Sequence, residues 1–527
     1  MQELPLVTLL GGAFAGATLV SYVTTPLAAR LADRLGAIDA PGGRHVHERP
    51  TARLGGVALL AGLLAGALAF GGAFLNVFGP DDLVRTIGRD QVVAFLIPCL
   101  LVFIVGLVDD LRGLSPGARV CLEAVAAAFL IQRGYVIDVI ANPFGAPIEL
   151  GLFAFPLTLL WFVGITNAYN LVDGLDGLLA TVATSALLGC AAVAVLGDRP
   201  GSATLAVALA GGLIGFLRWN WHPARVFLGD AGSLMIGFTI AALSLKVARN
   251  PSGTLALHVP LLLSALPIAE TLLTLARRYV NGQPYFVGDR SHMHHVLLNR
   301  GLSVRQAVLW LSGTSALFAA TAVMSRLWRH EAALTAALAS AALAAFGLRW
   351  LGYVELRVLT DRLRHALTRP RGRELPHLVA MARAGDVIAA ARTVPELHAA
   401  LREALPISGL TYITVEFSPA LAAALGEHGH VTEARNQLAE LVARRDRPAL
   451  WLFSCPLPDD HDETTRPGVC YTIPFELGPD LRGVFGFHRF LAGLSAGSGD
   501  EAMRRYLAEP LRLALGRCVL AWAEVSA

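Results

Sequence analysis

The stretch FAFPLTLLWFVGITNAYNLVDGLDGLLATVATSALLG, residues 153–189, decides the fold because it sets two amides and two carboxylates between two apolar runs. These polar residues are Asn167, Asn170, Asp173 and Asp176, with glycines among them. The flanking runs have the apolar character of membrane helices, which need roughly 20 residues to cross the hydrocarbon core. We therefore interpret the motif as a polar junction between two membrane-spanning helices.

The composition of the whole chain agrees with this interpretation. Of 527 residues, 54% are hydrophobic and only 16% are charged, and the mean hydropathy is +0.55. Such a balance is too apolar for an ordinary soluble enzyme and predicts an all-α polytopic membrane protein. Apolar runs bounded by polar or turn-forming residues predict eleven spans: 4–26, 54–76, 92–108, 119–137, 152–166, 178–196, 202–219, 228–246, 256–276, 304–325 and 333–352.

Basic residues indicate the orientation of these spans. The first, third, fifth, seventh and ninth connections contain most of the loop arginines, so we expect them in the cytoplasm with the N-terminus outside. The opposite connections contain fewer basic residues, namely Arg85, Arg89, Arg133, Arg199, Lys246, Arg249, Arg326 and Arg329.

The composition changes near residue 355, where the last apolar run ends. We predict a membrane domain over 1–355, a linker over 356–376 and a cytoplasmic α+β domain over 377–527. In the last of these, TVPELHAALREAL and DEAMRRYLAEPLRLALGRCVLAWAEV read as helices, and GLTYITVEF, ALWLFS, VCYTIPFEL and LRGVFGFHRF read as strands. The order of elements resembles a GAF-type sensor domain, with a regulatory or scaffolding role. An unrelated α+β scaffold for partner proteins is the alternative.

The first cytoplasmic loop, DAPGGRHVHERPTARLGG, has a composition suited to phosphate. Arg44, His45, His47 and Arg53 precede a glycine-rich helix start. Arginines offer forked donors, and the first turn of a helix presents free N–H groups at its positive end. Basic loops beside membrane helices also set topology, which is the alternative interpretation of this one.

Three further loops contain acidic or basic groups at predicted helix ends. GLVDDLRGLSPGAR places Asp109 and Asp110 at the end of an apolar span, where burial of a carboxylate is costly unless a cation compensates it. WNWHPARVFLGDAGSL contains Asn220, Phe227 and Asp230, and GDRSHMHHVLLNRG contains Arg290, His292, His294 and His295.

The five loops together indicate phosphoryl transfer. Several carboxylates on one face favour Mg²⁺ or Mn²⁺ bridging to substrate phosphates. The HMHH motif could also bind zinc, but the neighbouring Arg290 fits an anion better. DGLDG lacks the glutamate spacing of a calcium-binding EF-hand loop.

All five loops resemble, in order, those of the polyprenyl-phosphate N-acetylhexosamine-1-phosphate transferases. The matching motifs are DAPGGRHVHERPTARLGG, GLVDDLRGLSP, NAYNLVDGLDGL, FLGDAGSL and DRSHMHH, and the resemblance covers about residues 1–355. It implies transfer of an N-acetylhexosamine 1-phosphate, most simply that of GlcNAc, from the UDP-sugar to polyprenyl phosphate at the bacterial inner membrane, with release of UMP.

The resemblance also implies roles for individual residues. Asp230 matches the principal magnesium ligand, with Asp109 and Asp110 as metal-site carboxylates or as a base. The nucleotide-sugar loop corresponds to Asn170, Asp173, Gly174, Leu175 and Asp176, and Phe227 to the residue that stacks on uracil. Asn220 and Arg290 match residues that contact the diphosphate. The histidine motif of the family, counted among its catalytic residues, corresponds to His292, His294 and His295. The lipid-phosphate loop corresponds to Arg44, His45, His47 and Arg53.

Two departures and several alternatives accompany this hypothesis. His45 and Arg119 stand where many members have lysine. A phospho-N-acetylmuramoyl-pentapeptide translocase, a membrane carrier for anionic substrates and a lipid pyrophosphate hydrolase are the competing functions. The expected partners are UDP-N-acetylhexosamine, polyprenyl (undecaprenyl) phosphate and the membrane, without nucleic acid. A homodimer, and a small ligand or protein bound by the C-terminal domain, are left open.

Overall fold

The computed structural model describes most of the chain in two compact units. One unit comprises Met1–Thr274 and Gly288–Leu351, and the other comprises Leu275–Val287 and Gly352–Ala527. The described residues are 3–39, 50–78, 89–142, 145–250, 252–280, 292–327, 375–408, 410, 412–418, 430–433, 450–454, 468–477, 481–490 and 503–526.

Helices make up nearly all of the described residues of the first unit, as its composition predicts. They are α1 (Glu3–Leu35), α2 (Gly55–Phe78), α3 (Arg89–Arg112), α4 (Pro116–Gln132), α5 (Ala154–Val172), α6 (Leu178–Leu196), α7 (Pro200–Asn220), α8 (Gly229–Ala248), α9 (His258–Leu263), α10 (Ala265–Val280), which continues into the second unit, α11 (Met293–Asn299) and α12 (Val304–Leu327).

A helix lies at each of the first ten predicted spans, although α1 and α5 extend well beyond the predicted ends at 26 and 166. Span 256–276 is interrupted at Ser264, which separates α9 from α10. Span 119–137 ends earlier than predicted, because the chain leaves the helix after Gln132 and Gly134 adopts a φ of +87°. The last predicted span, 333–352, lies outside the described residues.

Seven helices in the described part of the chain are long and apolar enough to cross a membrane. They cover Leu6–Leu35, Gly55–Ala73, Gly151–Val172, Leu178–Leu196, Pro200–Asn220, Gly229–Ala248 and Val304–Leu327. The protein is therefore a multi-pass membrane protein, whereas the count of eleven spans is not confirmed.

The bundle is built around α8, in which almost every residue is buried. Helices α2, α3, α5, α6 and α7 all pack against it. Its glycines, alanines and serines allow close approach of neighbouring backbones, which is how membrane helices commonly associate. Larger side chains complete the packing, as in the Phe162–Phe238 pair with ring centroids 5.2 Å apart.

Short strand pairings join the loops at both ends of α8. Near its start, β1 (Ile38–Asp39) pairs with β2 (Thr51–Ala52), and Ala52 forms a bridge with Val226. Near its end, β3 (Val139–Ile140) pairs with β4 (Ile148–Glu149), and Leu255 forms bridges with Ile140 and Arg249. Backbone hydrogen bonds thus fix two of the candidate functional loops, those before α2 and α8, to each other.

The second unit contains helices and one five-stranded sheet. Its helices are α13 (Leu375–Ala390), α14 (Val394–Ser408) and α15 (Glu509–Ser526). Its strands are β5 (Tyr412–Phe417), β6 (His430–Glu433), β7 (Leu450–Ser454), β8 (Gly468–Glu476) and β9 (Arg482–Phe490), in the order β6-β7-β5-β9-β8. All pairs are antiparallel except β6 with β7.

The predicted elements of this α+β unit are confirmed, and two were missed. The four predicted strands correspond to β5, β7, β8 and β9, and the predicted helices to α14 and to α15, which a single turn of π-helix precedes. No predicted element corresponds to α13 or β6. The core includes Leu401, Ile413, Phe485 and Phe487, all fully buried.

Candidate active site

Asp230, in the first turn of α8, is the residue at which the separate loops meet. The Nδ2 of Asn170, near the end of α5, donates to Oδ1 of Asp230 at 2.6 Å. The same amide nitrogen lies 2.8 Å from Oγ of Ser233. From the loop before α2, the guanidinium of Arg53 approaches Oδ2 of Asp230 at 3.5 Å. Three of the five sequence motifs therefore converge on one carboxylate.

Asp110 joins a fourth motif to the same point. Its carboxylate is fully buried and accepts the backbone N–H groups of Asp230 and Ala231, each at 2.9 Å. An acidic side chain in this position caps the helix and complements its positive end. Gly229 has a φ of +72°, and a Cβ there would lie 2.5 Å from Oδ2 of Asp110. Arg53 completes the contact, 3.4 Å from Oδ1.

Asp109 is engaged in a separate network beside Asp230. One oxygen accepts a backbone N–H of the following turn at 2.7 Å, and the other accepts from Arg119 at 3.2 Å. Arg119 also donates to Oδ1 of Asn167 at 3.3 Å, while the Nδ2 of Asn167 donates to Glu123 at 2.5 Å. A nitrogen of Arg119 lies 3.9 Å from Oδ1 of Asp230. The pairing with Asp109 thus holds the guanidinium group of Arg119 beside Asp230.

The carboxylates around Asp230 form a site of concentrated negative charge. Burial raises the pKa of Asp173 to about 7, and the charge of Asp230 adds to this shift. Burial likewise raises the pKa of Asp110, which lies beyond the apolar span, to about 7. The backbone N–H donors of Asp230 and Ala231 act in the opposite direction and lower this pKa. A hard divalent cation would favour the ionised form of both carboxylates, which burial disfavours.

The geometry does not by itself assemble a metal site. In the part of the chain that the structure describes, no group of three or more His, Cys, Asp or Glu side chains is arranged to hold a metal ion. Asp110 directs both oxygens at backbone amides, whereas Asp230 accepts from the side chains of Asn170 and Arg53. The metal-ligand roles of Asp109, Asp110 and Asp230 stay predictions.

A second network fixes the loop after α5 to the loop before α8. Oδ2 of Asp176 accepts the backbone N–H of Ala224 at 2.9 Å and lies 2.8 Å from Nδ1 of His222. Asn220 is buried, and its Oδ1 accepts the N–H of Gly177 at 3.0 Å. Asp176 and Asn220 therefore both hold the two loops together. Their predicted contacts with uracil and diphosphate are not tested by these distances.

The remaining predicted nucleotide contacts lie around this junction. Gly174 is exposed, Leu175 is buried and Phe227 is partly exposed. The N–H of Phe227 donates to the carbonyl of Ala52 at 2.7 Å, and its own carbonyl accepts from Gly55 at 2.9 Å. The backbone of Phe227 is thereby fixed beside the start of α2.

The histidine motif is anchored by a glutamate. His292 lies with Nδ1 2.8 Å from Oε1 of Glu270, and the other oxygen of Glu270 accepts the N–H of Met293 at 3.0 Å. The rings of His294 and His295 are 4.4 Å apart. Burial, together with His295 and His292, lowers the pKa of His294 to about 3, so this ring is neutral at physiological pH.

Sequence reasoning missed three polar residues of these networks: Glu123, Glu270 and His222. Glu123 and Glu270 are almost fully buried. Each is the lone carboxylate of an apolar run, CLEAVAAAFL or LPIAETLL, and burial of such a group needs compensation. That signal could have identified both. Of the predicted site residues, Arg44, His45, His47 and Arg290 lie outside the described residues.

Comparison with known proteins is consistent with this arrangement. Residues 92–248 match the family described as "Glycosyl transferase family 4". A Bacillus subtilis protein named "Probable undecaprenyl-phosphate N-acetylglucosaminyl 1-phosphate transferase" is 34% identical over 313 residues, covering 59% of this chain and 84% of the relative. A Mycobacterium tuberculosis "Decaprenyl-phosphate N-acetylglucosaminephosphotransferase" is 35% identical over 331 residues, covering 59% and 79%.

A third relative has a different printed name. The "Phospho-N-acetylmuramoyl-pentapeptide-transferase" of a Synechococcus species is 32% identical over 343 residues, covering 60% of this chain and 88% of the relative. The candidate membrane spans and the carboxylates gathered at helix ends show the general class of this protein. It is a multi-pass membrane protein with a polar site at one end of the bundle. Within that class, the chain belongs to glycosyl transferase family 4.

Proposed function

We propose that the protein transfers N-acetylglucosamine 1-phosphate from UDP-N-acetylglucosamine to polyprenyl phosphate and releases UMP. The observation that supports this most strongly is the convergence of Arg53, Asp110, Asn170 and Asp230, which come from four separate motifs. The names of the Bacillus and Mycobacterium relatives support the same reaction and a polyprenyl phosphate acceptor.

The reaction exchanges one phosphoryl bond for another. An oxygen of the lipid phosphate attacks the β-phosphorus of the UDP-sugar, and the bond from that phosphorus to the bridging oxygen breaks, so UMP leaves with the electron pair. That is direct attack; in the alternative, an aspartate would first attack the same phosphorus and release UMP, and the lipid phosphate would then displace the aspartate and take the sugar 1-phosphate. Holding two reactants in line accounts for much of the rate in such reactions.

The proposed division of labour follows the contacts. Arg53 and Arg119 lie beside Asp230, where they can bind phosphate oxygens. Asp110 fixes the first turn of α8 and thus positions Asp230. The loop of Asp176 and the neighbouring Phe227 bind the uracil, and the histidine motif lies beside Gly174 of that loop.

Mg²⁺ or Mn²⁺ is the proposed cofactor, with Asp230 as its main ligand and Asp173 close enough to interact electrostatically. When bound, the cation would neutralise the diphosphate and the surplus charge of these carboxylates. Asn170 donates to Asp230 and would hold that carboxylate in place as a metal ligand.

Transfer of phospho-N-acetylmuramoyl-pentapeptide is the second candidate, because the Synechococcus relative has that name. The first loop favours the GlcNAc substrate through its RxxHxxPxxRxGG pattern. To separate the two, purified protein is given undecaprenyl phosphate, Mg²⁺ and either UDP-sugar labelled in its β-phosphate. We expect label in the lipid fraction with UDP-N-acetylglucosamine alone. Label only from the muramoyl donor would replace the proposal with the alternative.

The finer topology belongs to the same proposal. We place the bundle in the bacterial cytoplasmic membrane with eleven spans, the last being 333–352, and with the active face and the α+β unit in the cytoplasm. The loop arginines support this orientation. For the α+β unit we propose a GAF-like regulatory or scaffolding domain, because the order of its helices and strands resembles that of a GAF-type sensor domain.

A further inference from the structure

Four cationic side chains gather at the end of the bundle opposite Asp230. Arg199 precedes α7, Lys246 and Arg249 lie at the end of α8, and Arg326 lies in the last turn of α12. Lys246 follows Asp230 by four and a half helical turns, which is about 24 Å at about 1.5 Å per residue. This group, here called the distal cation cluster, is therefore separate from the candidate active site.

Contacts with backbone carbonyls and one side-chain amide oxygen hold the cluster together. Arg199 donates to the carbonyl of Lys246 and, at 2.9 Å, to that of Arg249. Arg326 donates to Oδ1 of Asn250 at 2.5 Å. These neutral acceptors position the guanidinium groups at the carbonyl end of α8 but leave their formal charges in place.

The cluster has more positive than negative charge. Among the described residues, the carboxylate that pairs with it is that of Asp138, 2.8 Å from a guanidinium nitrogen of Arg249. The ammonium of Lys246 lies 5.2 Å from the centroid of the Tyr135 ring, a cation–π contact. Four cations and one carboxylate leave a formal surplus of three positive charges, from the four cationic residues less Asp138.

The surplus is concentrated in a partly buried place. All four side chains are only partly exposed. Burial, followed by the charges of Arg326 and Arg249, lowers the pKa of Arg199, which lies just outside the span of α7. The predicted topology places few basic residues on this side of the membrane. The four cations come from three separate segments, so the cluster does not belong to a single basic loop.

We propose that the distal cation cluster binds a phosphate group, either of an anionic phospholipid headgroup or of free phosphate. A compact ammonium among guanidinium groups attracts a phosphate by charge, and one bound monoanion would offset part of the surplus charge. Binding here would join the ends of α7, α8 and α12 without contact with the reacting groups.

The test measures the thermal stability of the full chain in detergent micelles. The probes are phosphatidylglycerol, phosphatidylcholine at the same mole fraction, and millimolar inorganic phosphate. The variants are Lys246→Gln alone and Lys246→Gln with Arg326→Gln. Lys246→Gln should disturb the fold less than the double variant does. It removes an ammonium that contacts the ring of Tyr135, whereas Arg326→Gln also removes a hydrogen bond to Asn250. Arg133→Gln is the matched control, since Arg133 is exposed and stacks on Phe129.

Phosphatidylglycerol is expected to raise the Tm of the wild type more than phosphatidylcholine does. In the double variant, the mole fraction giving half of that increase should rise about tenfold, which is the effect of losing about 1.4 kcal/mol of binding, and Arg133→Gln should match the wild type. The same variant-sensitive increase with inorganic phosphate would identify free phosphate as the ligand. No lipid preference and no phosphate effect in the wild type, or an effect that Lys246→Gln and the double variant retain in full, would overturn the proposal.

Discussion

Gly174 lies directly against the imidazole of His294. A Cβ added to Gly174 would come within 2.6 Å of Cε1 and 2.7 Å of Nε2 of that ring. The glycine belongs to the NAYNLVDGLDGL motif and the histidine to the DRSHMHH motif, which are separated by about 120 residues. His294 is buried, and the two atoms are the outer end of its side chain, so the ring would have to turn to admit a methyl group. The third and fifth motifs of the sequence therefore meet at this contact.

Replacement of Gly174 by alanine should impair catalysis more than folding. The methyl group would displace His294, whereas the backbone of Gly174 has no positive φ that would strain an alanine. We expect kcat/KM for the UDP-sugar to fall at least tenfold, about 1.4 kcal/mol, with little change in Tm. Gly117→Ala is the control, because a Cβ there meets open space. Equal activities of the two variants would contradict this account of the contact.

Removal of the Glu270 carboxylate should destabilise the start of α11. Glu270→Ala leaves the N–H of Met293 without its buried acceptor and removes the shorter of two contacts from Nδ1 of His292, which also lies 3.3 Å from Oγ1 of Thr274. Each unsatisfied buried polar group costs about 1–3 kcal/mol, so Tm should fall clearly and the activity with it. Thermal unfolding of Glu149→Ala, which removes an exposed carboxylate from β4, supplies the comparison. A Tm unchanged from wild type would show that the glutamate does not anchor the motif.

His294 should make stability depend on pH below neutrality. Its pKa is about 3 in the folded protein and about 6.5 in an unfolded chain. The stabilisation from the neutral ring is complete above about pH 6.5 and is lost as the pH falls towards the folded value, by up to about 1.4 kcal/mol per unit. Tm measured from pH 7.5 to pH 5 should fall less steeply in His294→Gln. Identical slopes in both proteins would rule out His294 as the source.

His222 should act by positioning Asp176. His222→Ala removes a ring that lies 2.8 Å from the Asp176 carboxylate, and a hydrogen bond to a charged group contributes about 1.5–3 kcal/mol. We expect KM for the UDP-sugar to rise about tenfold with kcat nearly unchanged, and His222→Asn to restore part of the loss. His258→Ala, at the far end of the bundle, serves as the control. A fall in kcat without a change in KM would assign His222 a different role.

Deletion of residues 377–527 should leave the transfer reaction intact. The networks around Asp230, Asp176 and His292 are built from residues of the first unit alone. UMP release by the truncated protein, compared with the full chain at equal amounts of folded protein, checks this. Loss of chemistry in a folded truncated protein would show that the α+β unit takes part in catalysis.

The positions of the helices could be predicted because apolar runs and helix ends are local signals. Span 152–166 is predicted in the right place but ends before α5 does at Val172, and the gap before α6 fits the glycines near Asp173 and Asp176. Ser264 could not be foreseen as a break, because the apolar run continues through it. The early end of α4 depends on Gly134, which resembles the many glycines inside other spans.

The site was predictable in its residues but not in its contacts. Asp109 and Asp110 are adjacent in sequence, yet one pairs with Arg119 and the other caps α8. Such a difference arises from tertiary packing, since neighbouring side chains on a helix point in different directions. Glu270 supports the histidine motif from 22 residues away, across an intervening segment that no spacing rule covers.

The most direct measurement is the release of UMP by purified protein given undecaprenyl phosphate, Mg²⁺ and a panel of UDP-sugars. Asp230→Asn tests the residue at which the motifs meet, and Asp33→Asn, which alters an exposed carboxylate of α1, is its matched control. The account predicts UMP from UDP-N-acetylglucosamine, its loss in Asp230→Asn and its retention in Asp33→Asn. Absence of UMP with every UDP-sugar, in protein that is folded, would contradict the proposed transfer.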